Sequence, residues 1–214
     1  MIICSFVFHE SLQLAICNLR ILRHRPYFIS VLTQLFVDNY GDGCYHCTYA
    51  HPDLCSNINE SNYGTELLSS ELSVQHAPFK EEVSPNERLG SRPGVYAHWY
   101  PNIMVNRYGP WLDVDMIIPL DDTSCVVQKS WFLKRDFATS DREGFIRTSL
   151  RESTAVHDED IFLCENAQRG MSSRGYDSSR YVPSKQVAAY HFHQRLARDL
   201  MEDLVRRGEK PHSD

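Results

Sequence analysis

The chain has 214 residues, of which 42% are hydrophobic and 23% are charged, and its formal net charge is −6. This balance is typical of a globular protein with one sizeable core, and because acids are interleaved with the basic residues we expect no nucleic-acid partner. The seven cysteines are odd in number and irregularly spaced, which predicts reduced thiols in a soluble, intracellular protein.

The start of the chain differs in composition from the rest. Residues 1–22 are apolar and compatible with a helix, and a basic cluster follows before Pro26. The apolar run is interrupted well before the roughly 20 residues that a spanning helix needs, so we expect no membrane partner. We assign residues 1–33 to an N-terminal extension, 34–207 to the main domain and 208–214 to a tail.

The middle of the chain carries strand patterns. Residues 67–74 fit either a strand or a helical turn. Four later runs are rich in β-branched and aromatic residues and are separated by turn signals: 94–100, 103–107, 113–120 and 124–133. Two of these runs alternate β-branched with polar residues, which predicts an antiparallel meander with one face on the core.

The last third is helical by pattern. Ser140 and Glu143 have the spacing of a capping box with Ser140 as N-cap, and Asp160 is placed at the start of a helix over residues 160–167. Residues 187–205 form a long amphipathic helix. Strands followed by helices predict an α+β fold in which the helices pack on one face of an antiparallel sheet.

His46 and His51 lie in the densest cluster of chemically active side chains. Five positions correspond to a rotation of about 140° beyond one full helical turn, so the rings converge on one ion only if the helix ends or bends between them. Two imidazoles and one carboxylate are the ligands of non-haem Fe(II) oxygenases.

Two further interpretations of this segment stay open. In one, the histidines form local hydrogen bonds and the cysteines pack. In the other, Cys44 and Cys47 form half of a structural zinc site, which would make the chain a zinc-binding interaction domain. A structural zinc would need a second such pair, and the sequence contains none.

Four blocks in order resemble the α-subunits of Rieske-type oxygenases, in the branch that includes choline monooxygenase. They contain Asp38-Asn39-Tyr40 with Tyr49-Ala50-His51, Tyr100-Pro101-Asn102 with Arg107-Tyr108-Gly109, Glu159-Asp160 with Gln168-Arg169-Gly170, and His191-Phe192-His193. The resemblance covers residues 35–200. It implies a helix-grip fold, in which a curved antiparallel sheet wraps a long C-terminal helix, here residues 187–205.

Carried over to this sequence, the resemblance implies a mononuclear Fe(II) bound by His46, His51 and Asp160. The alternatives to Asp160 are its neighbours His157, Asp158 and Glu159. The resemblance also implies an acidic residue that links the iron site to an electron donor, and many members carry it at the position of Gly43.

For that linking role we choose Asp42, with Asp38 as the fallback. Asn39 is expected near the iron, where it would donate a hydrogen bond to a ligand.

A Rieske [2Fe-2S] cluster needs a Cys-x-His pair and a later Cys-x-x-His pair. Cys44-Tyr45-His46 matches the first pattern, and no Cys-x-x-His follows. We therefore expect no ligands for the cluster in this chain. The resemblance then implies electrons from a ferredoxin and reductase or from a Rieske-bearing partner, and assembly as a homo-trimer.

The implied reaction is O₂-dependent hydroxylation of a small substrate such as choline, which would yield betaine aldehyde. Carnitine, glycine betaine and aromatic rings are further candidate substrates. A quaternary ammonium is held by aromatic faces, and four residues near the right strands supply them: Trp99, Tyr100, Tyr108 and Trp111. Their alternative role is packing in the sheet, and the alternative function is an inactive helix-grip module that binds iron or a ligand.

Overall fold

A computed structural model describes residues 18–80 and 88–209. Its centre is a seven-stranded antiparallel sheet in the order β1-β7-β6-β5-β4-β3-β2. The strands are β1 (Leu19–Ile29), β2 (Gly64–Leu67), β3 (Leu72–Ala77), β4 (Gly94–Trp99), β5 (Ile103–Tyr108), β6 (Trp111–Pro119) and β7 (Cys125–Lys134). Four of the predicted strands are confirmed as β4 to β7, and the run at 67–74 spans the end of β2, the hairpin turn and the start of β3.

Five α-helices lie in the described residues. They are α1 (Thr33–Gly41), α2 (Cys44–Ala50), α3 (Pro52–Cys55), α4 (Arg142–Met171) and α5 (Val187–Arg207), and a short 3-10 helix spans Glu60–Asn62. The predicted α+β class is confirmed, with a single sheet carrying helices on one face. No described helix has both the length and the apolar character that crossing a membrane requires.

Strand β1 corrects the prediction of a helix over residues 1–22, of which 1–17 lie outside the described residues. Leu19–Ile29 pairs with β7 through ten registered positions. Tyr27 and Ile29 turn inward and are buried. Pro26 is tolerated because β1 is an edge strand, where a missing N–H faces no neighbour. The sheet therefore includes residues that precede the predicted boundary at 34.

Helix α4 covers the half of the sheet formed by β1, β7 and β6. The indole Nε1–H of Trp131 donates to Ser153 Oγ at 2.9 Å. The ring of His157 lies 4.3 Å from that of Tyr27, centroid to centroid. These contacts bring buried polar groups of α4 against β7, which the pattern predicted as a strand, and against β1, which it did not.

The start of α4 differs from the prediction by one residue. Asp141, rather than Ser140, is the N-cap, and its Oδ1 accepts from the Gly144 N–H at 2.8 Å. Asp160 lies in the middle of this 30-residue helix and not at a helix start. The predicted helix over residues 160–167 was too short, because no glycine or proline interrupts the helix between Gly144 and Gly170.

Helix α5, predicted at 187–205, covers the opposite half of the sheet. The ring of Phe192 packs edge-on against His98 of β4 with a centroid distance of 5.4 Å. The hydroxyl of Tyr100 donates a hydrogen bond to Asp199 Oδ2 at 2.7 Å. The sheet thus holds two helices, α4 and α5, where the resemblance implied one.

The inner face of β6 is the face that the sequence pattern assigned to solvent. Asp113 and Asp115 are only 2% and 4% exposed, whereas Met116 is 40% exposed. Alternation correctly predicted a strand with two different faces. It could not identify the inner one, because here polar side chains lie on the buried side.

Candidate metal centre

Gly43 makes the turn between α1 and α2. Its φ is +57°, in the left-handed region that favours glycine. A Cβ added there would lie 2.2 Å from Oε1 of Gln75 and 2.9 Å from the hydroxyl of Tyr63. The acidic residue that the resemblance places at this position therefore has no room in this chain.

His51 lies at the junction of α2 and α3, where it both ends the first helix and begins the second. Its φ of −129° and ψ of 64° are not helical, so the chain bends between the two histidines. The rings of His46 and His51 approach to 5.2 Å between centroids at an interplanar angle of 77°. The bend that their spacing requires is present.

Asp160 reaches this pair from α4. The His51 Nε2–H donates to Asp160 Oδ1 at 3.0 Å, and Nε2 of His46 lies 3.9 Å from the same oxygen. One donor atom from each residue lies within 4.8 Å of the other two. In the described part of the chain this is the only group of three or more such side chains close enough to hold a metal ion.

Asn39 of α1 completes the contacts of the carboxylate. Its Nδ2 donates to Asp160 Oδ1 at 2.6 Å. Burial raises the pKa of Asp160, but the hydrogen bonds and charges of His51, together with His46 and Asn39, outweigh it and hold that pKa below its ordinary value. The carboxylate is therefore ionised and available as a ligand.

The two histidines differ in protonation. Burial lowers the pKa of His46 to about 4, so its imidazole is neutral at pH 7. Burial also lowers the pKa of His51, but hydrogen bonds and charges from Asp160 and Glu159 outweigh it and raise that pKa. A metal ion at the centre would replace the proton that His51 shares with Asp160.

Glu159 has a role that sequence reasoning missed. Its Oε2 accepts from the His51 Nδ1–H at 2.7 Å, which leaves Nε2 directed at Asp160. Such a carboxylate fixes the orientation of a metal-binding imidazole. The signal was present in the sequence, because adjacent acids on a helix lie about 100° apart and can contact different edges of one ring.

Asp158 and His157, which flank this pair of acids on α4, do not reach the donor group. Asp158 is exposed on the outer side of the helix. His157 is buried and packs its ring against Tyr27 and Phe36. Neither residue can replace Asp160 as a ligand in this arrangement.

The two candidates for the electron-linking acid also lie apart from the donor group. Asp42 Oδ1 accepts from Gln186 Nε2 at 2.6 Å, at the start of α5, and burial raises the pKa of its carboxyl. Asp38 Oδ1 lies 2.6 Å from Nε2 of His193. Both acids thus face α5 and the segment before it, while Asn39 between them faces Asp160.

The cysteines of the motif pack as small apolar residues. Cys44 and Cys47 are buried in a cluster with Ile58. Burial raises the pKa of both thiols, so they are protonated at neutral pH and poor zinc ligands. The packed-cysteine interpretation therefore describes them better than the zinc interpretation.

A cavity of about 140 Å³ lies beside the donor group. His46, His51 and Asp160 line its helical side. Of the four aromatic residues predicted near the substrate, only Tyr108 lines this cavity. The aromatic residues on its wall are Phe36, Tyr40, Tyr63, Tyr96 and Tyr108.

The remaining predicted aromatics lie elsewhere. Trp99 is 55% exposed, and the buried Trp111 stacks on Phe145 of α4 at 6.0 Å. Tyr100 binds α5 through its hydrogen bond to Asp199. These three residues have the packing or surface roles that were their alternative.

Charged residues line the sheet side of the cavity. Lys129 Nζ donates to both oxygens of Asp115, at 3.0 and 2.8 Å, and lies 3.9 Å from Asp113 Oδ2. Burial lowers the pKa of Lys129, but the two carboxylates outweigh it and raise that pKa. Burial raises the pKa of Asp113 to about 6, although Lys129 acts in the opposite direction.

The sequence is similar to known proteins over most of its length. The family described as "Ring hydroxylating alpha subunit (catalytic domain)" matches residues 34–202. The chloroplastic choline monooxygenase of Arabidopsis thaliana is 40% identical over 178 residues, which are 82% of this chain and 41% of that protein. The carnitine monooxygenase oxygenase subunit of Acinetobacter baumannii is 26% identical over 165 residues, which are 75% and 43% of the two chains.

The chain thus spans less than half the length of these relatives. Among solved structures, the fold is similar to that of a quaternary ammonium Rieske monooxygenase that was studied for carnitine oxidation by gut microbiota and for inter-subunit electron transfer. The TM-score is 0.71 at 20% identity, covering 90% of this chain and 54% of that one. This likeness confirms the predicted fold.

Proposed function

The chain belongs to the ring-hydroxylating α-subunit family, as a catalytic domain, and from that premise we propose that it is the iron-binding part of a monooxygenase. The observation that carries the proposal is the convergence of His46, His51 and Asp160 within 4.8 Å. Their histidine and carboxylate donors are the set used by non-haem Fe(II) oxygenases.

Both histidines of the donor group are arranged to bind an iron ion. His46 is neutral, and its Nε2 faces the Asp160 carboxylate. His51 is held by Glu159 through Nδ1, so Nε2 is directed at the same carboxylate. When bound there, Fe(II) would supply the activation of O₂.

The residues around the donor group have positioning roles in this proposal. Asn39 holds Asp160 Oδ1, and Glu159 holds the ring of His51. The cavity would place a small substrate beside the donor group. We keep Asp42 as the proposed link to the electron donor, because it lies four residues before His46 on the same segment.

We further propose a small quaternary ammonium or amine substrate, with choline as the first candidate. The support is the 40% identity to a choline monooxygenase and the partly aromatic cavity. We propose that a Rieske [2Fe-2S] centre outside these residues would deliver the electrons.

The test begins with the metal content of protein purified without oxygen. We expect about one iron per chain in the wild type, and loss of iron in both His46→Ala and Asp160→Ala. Asp158→Ala is the matched control, because this exposed neighbour lies away from the donor group. Zinc in place of iron, or iron retained in Asp160→Ala, would contradict the proposed centre.

The second step measures choline oxidation with a reductase and a Rieske protein supplied. Formation of betaine aldehyde, lost in Asp160→Ala, is the expected result. The alternative function is a binding module that holds iron or a ligand without turnover. Full iron occupancy without product under every donor condition would identify that alternative.

A further inference from the structure

A row of polar side chains crosses the inner face of the sheet beneath the cavity. Neighbouring strands place its members in direct register, from β3 to β6: Gln75, Tyr96, Asn106 and Asp113. All four line the cavity. Polar groups in such a position are expected either to pair with one another or to receive a ligand.

Asp113 is the member of this row with an unused acceptor. Its Oδ2 accepts from the hydroxyl of Tyr108 and lies 3.4 Å from Ser153 Oγ. Its Oδ1 is buried and has no hydrogen-bond partner among the described residues. The side chain is only 2% exposed, so an unpaired carboxylate oxygen there is costly unless a ligand provides a donor.

The nearby cations are already engaged. Lys129 donates to both oxygens of Asp115. Arg88 lies over the ring of Tyr108 at 4.8 Å, and its Nε is 3.6 Å from Glu152. Lys129 Nζ is 3.9 Å from Asp113 Oδ2, but Oδ1 has no hydrogen-bond partner among the described residues, so this oxygen is the acceptor on the sheet side left to meet a ligand.

We propose that Asp113 determines specificity by accepting, through Oδ1, a hydrogen bond from a hydroxyl or protonated amine of the substrate. The inference rests on the proposed function for the identity of the cavity as the substrate site. It adds a requirement to it: the substrate carries a hydrogen-bond donor. A fully substituted ammonium has no N–H, so in a quaternary substrate the donor is a hydroxyl.

Choline and its O-methyl ether test this requirement directly, because they share the trimethylammonium group and differ in the hydroxyl. Calorimetric titration of the anaerobically purified protein with each compound gives the two affinities. A hydrogen bond to a charged acceptor contributes about 1.5 to 3 kcal/mol, so we expect choline to bind about 10- to 100-fold more tightly. Equal affinity of the two compounds, or no binding of either, would overturn the proposal.

Variants locate the effect. Asp113→Leu removes the acceptor while keeping the same number and branching of side-chain heavy atoms, and it should abolish the preference for choline. Asp113→Asn, a nearly isosteric change with a neutral acceptor, should reduce it and serves if the leucine variant does not fold. Asp122→Asn, in the exposed β6–β7 turn, is the control and should keep the preference. A preference that survives in both Asp113 variants contradicts the assignment.

Iron content measured on the same samples separates this inference from the proposed function. Iron present with no preference for choline overturns the role of Asp113 and leaves the oxygenase centre standing. A preference for choline without iron supports the role of Asp113 and counts against the oxygenase. Because binding is the readout, neither result depends on turnover.

Discussion

The helical and the sheet side of the cavity carry similar polar residues in different arrangements. On the helical side, His51, His46 and Asn39 all converge on Asp160, whose side chain is 19% exposed. On the sheet side, the charged residues Asp113, Asp115 and Lys129 come from two strands and are at most 5% exposed, and Lys129 donates to both oxygens of Asp115. The first arrangement can exchange its contacts for an ion, whereas the second holds charges that cannot leave.

The largest expected effect lies on the sheet side. Lys129→Met would leave Asp115 and Asp113 buried without their cation, and breaking a buried pair in this way costs about 3 to 5 kcal/mol. Chemical denaturation should show that loss in the free energy of unfolding. Lys134→Met, on the same strand but half exposed in a pair with Asp136, should cost less than about 1 kcal/mol. Similar losses of stability in the two variants would contradict the view that the sheet side holds an essential buried cation.

On the helical side, the expected effect is on metal and not on folding. Glu159→Gln weakens the contact that orients His51, and changes of this kind lower metal affinity by about 10- to 100-fold. Competition with a chelator measures the affinity, and thermal unfolding should be nearly unchanged. Asp158→Asn, one position earlier and exposed, should leave the affinity as it is. An unfolding loss in Glu159→Gln comparable to that of Lys129→Met would contradict the comparison.

The pH dependence of the free energy of unfolding tests the burial of His98, a residue of the sheet. Burial lowers the pKa of His98 to about 4, so the folded state resists protonation more than the unfolded state does. The stability from the neutral ring is therefore complete above pH 6.5 and is lost as the pH falls toward 4. Between pH 7 and pH 5 this amounts to about 2 kcal/mol, which His98→Phe should remove.

Denaturation curves across that pH range provide the measurement. His76→Phe, on the neighbouring strand with its side chain 41% exposed, is the control and should keep the wild-type slope. An unchanged slope in His98→Phe would show that the ring is not held neutral by burial.

The smallest effect concerns the beginning of α4. Asp141→Ala removes the N-cap that binds the Gly144 N–H and should cost about 1 kcal/mol. Ser140→Ala should cost almost nothing, although the sequence spacing favoured Ser140 as the cap. Thermal unfolding of both variants decides between the two residues, and a larger loss in Ser140→Ala would restore the capping box.

The same contrast explains what the sequence could and could not predict. His46 and His51 lie within six residues of each other, so their spacing alone set the condition that the helix bend between them. Asp160 came from the resemblance, and the start of its helix was placed 18 residues too late, because the helical pattern was read only over residues 160–167. Local pattern has no information about which distant element a residue meets.

The sheet side was predicted least well. Alternation over residues 113–120 identified a strand, but β-branched residues in a strand ordinarily indicate the core face. In this chain Asp113 and Asp115 lie on the core face instead. Tyr108 of β5 donates to Asp113 and Lys129 of β7 donates to Asp115, which makes their burial possible. Register across strands decides such pairs, and a single sequence does not contain it.

The pairing of β1 with β7 has a practical consequence for shortened versions of the protein. The family match begins at residue 34, five residues after β1 ends. A version trimmed to that match would lose ten paired positions and leave the backbone of β7 as a long bare edge. Pro26 interrupts the edge that β1 presents, whereas β7 contains no proline, so the trimmed protein should aggregate more readily than one that keeps residues 18–33.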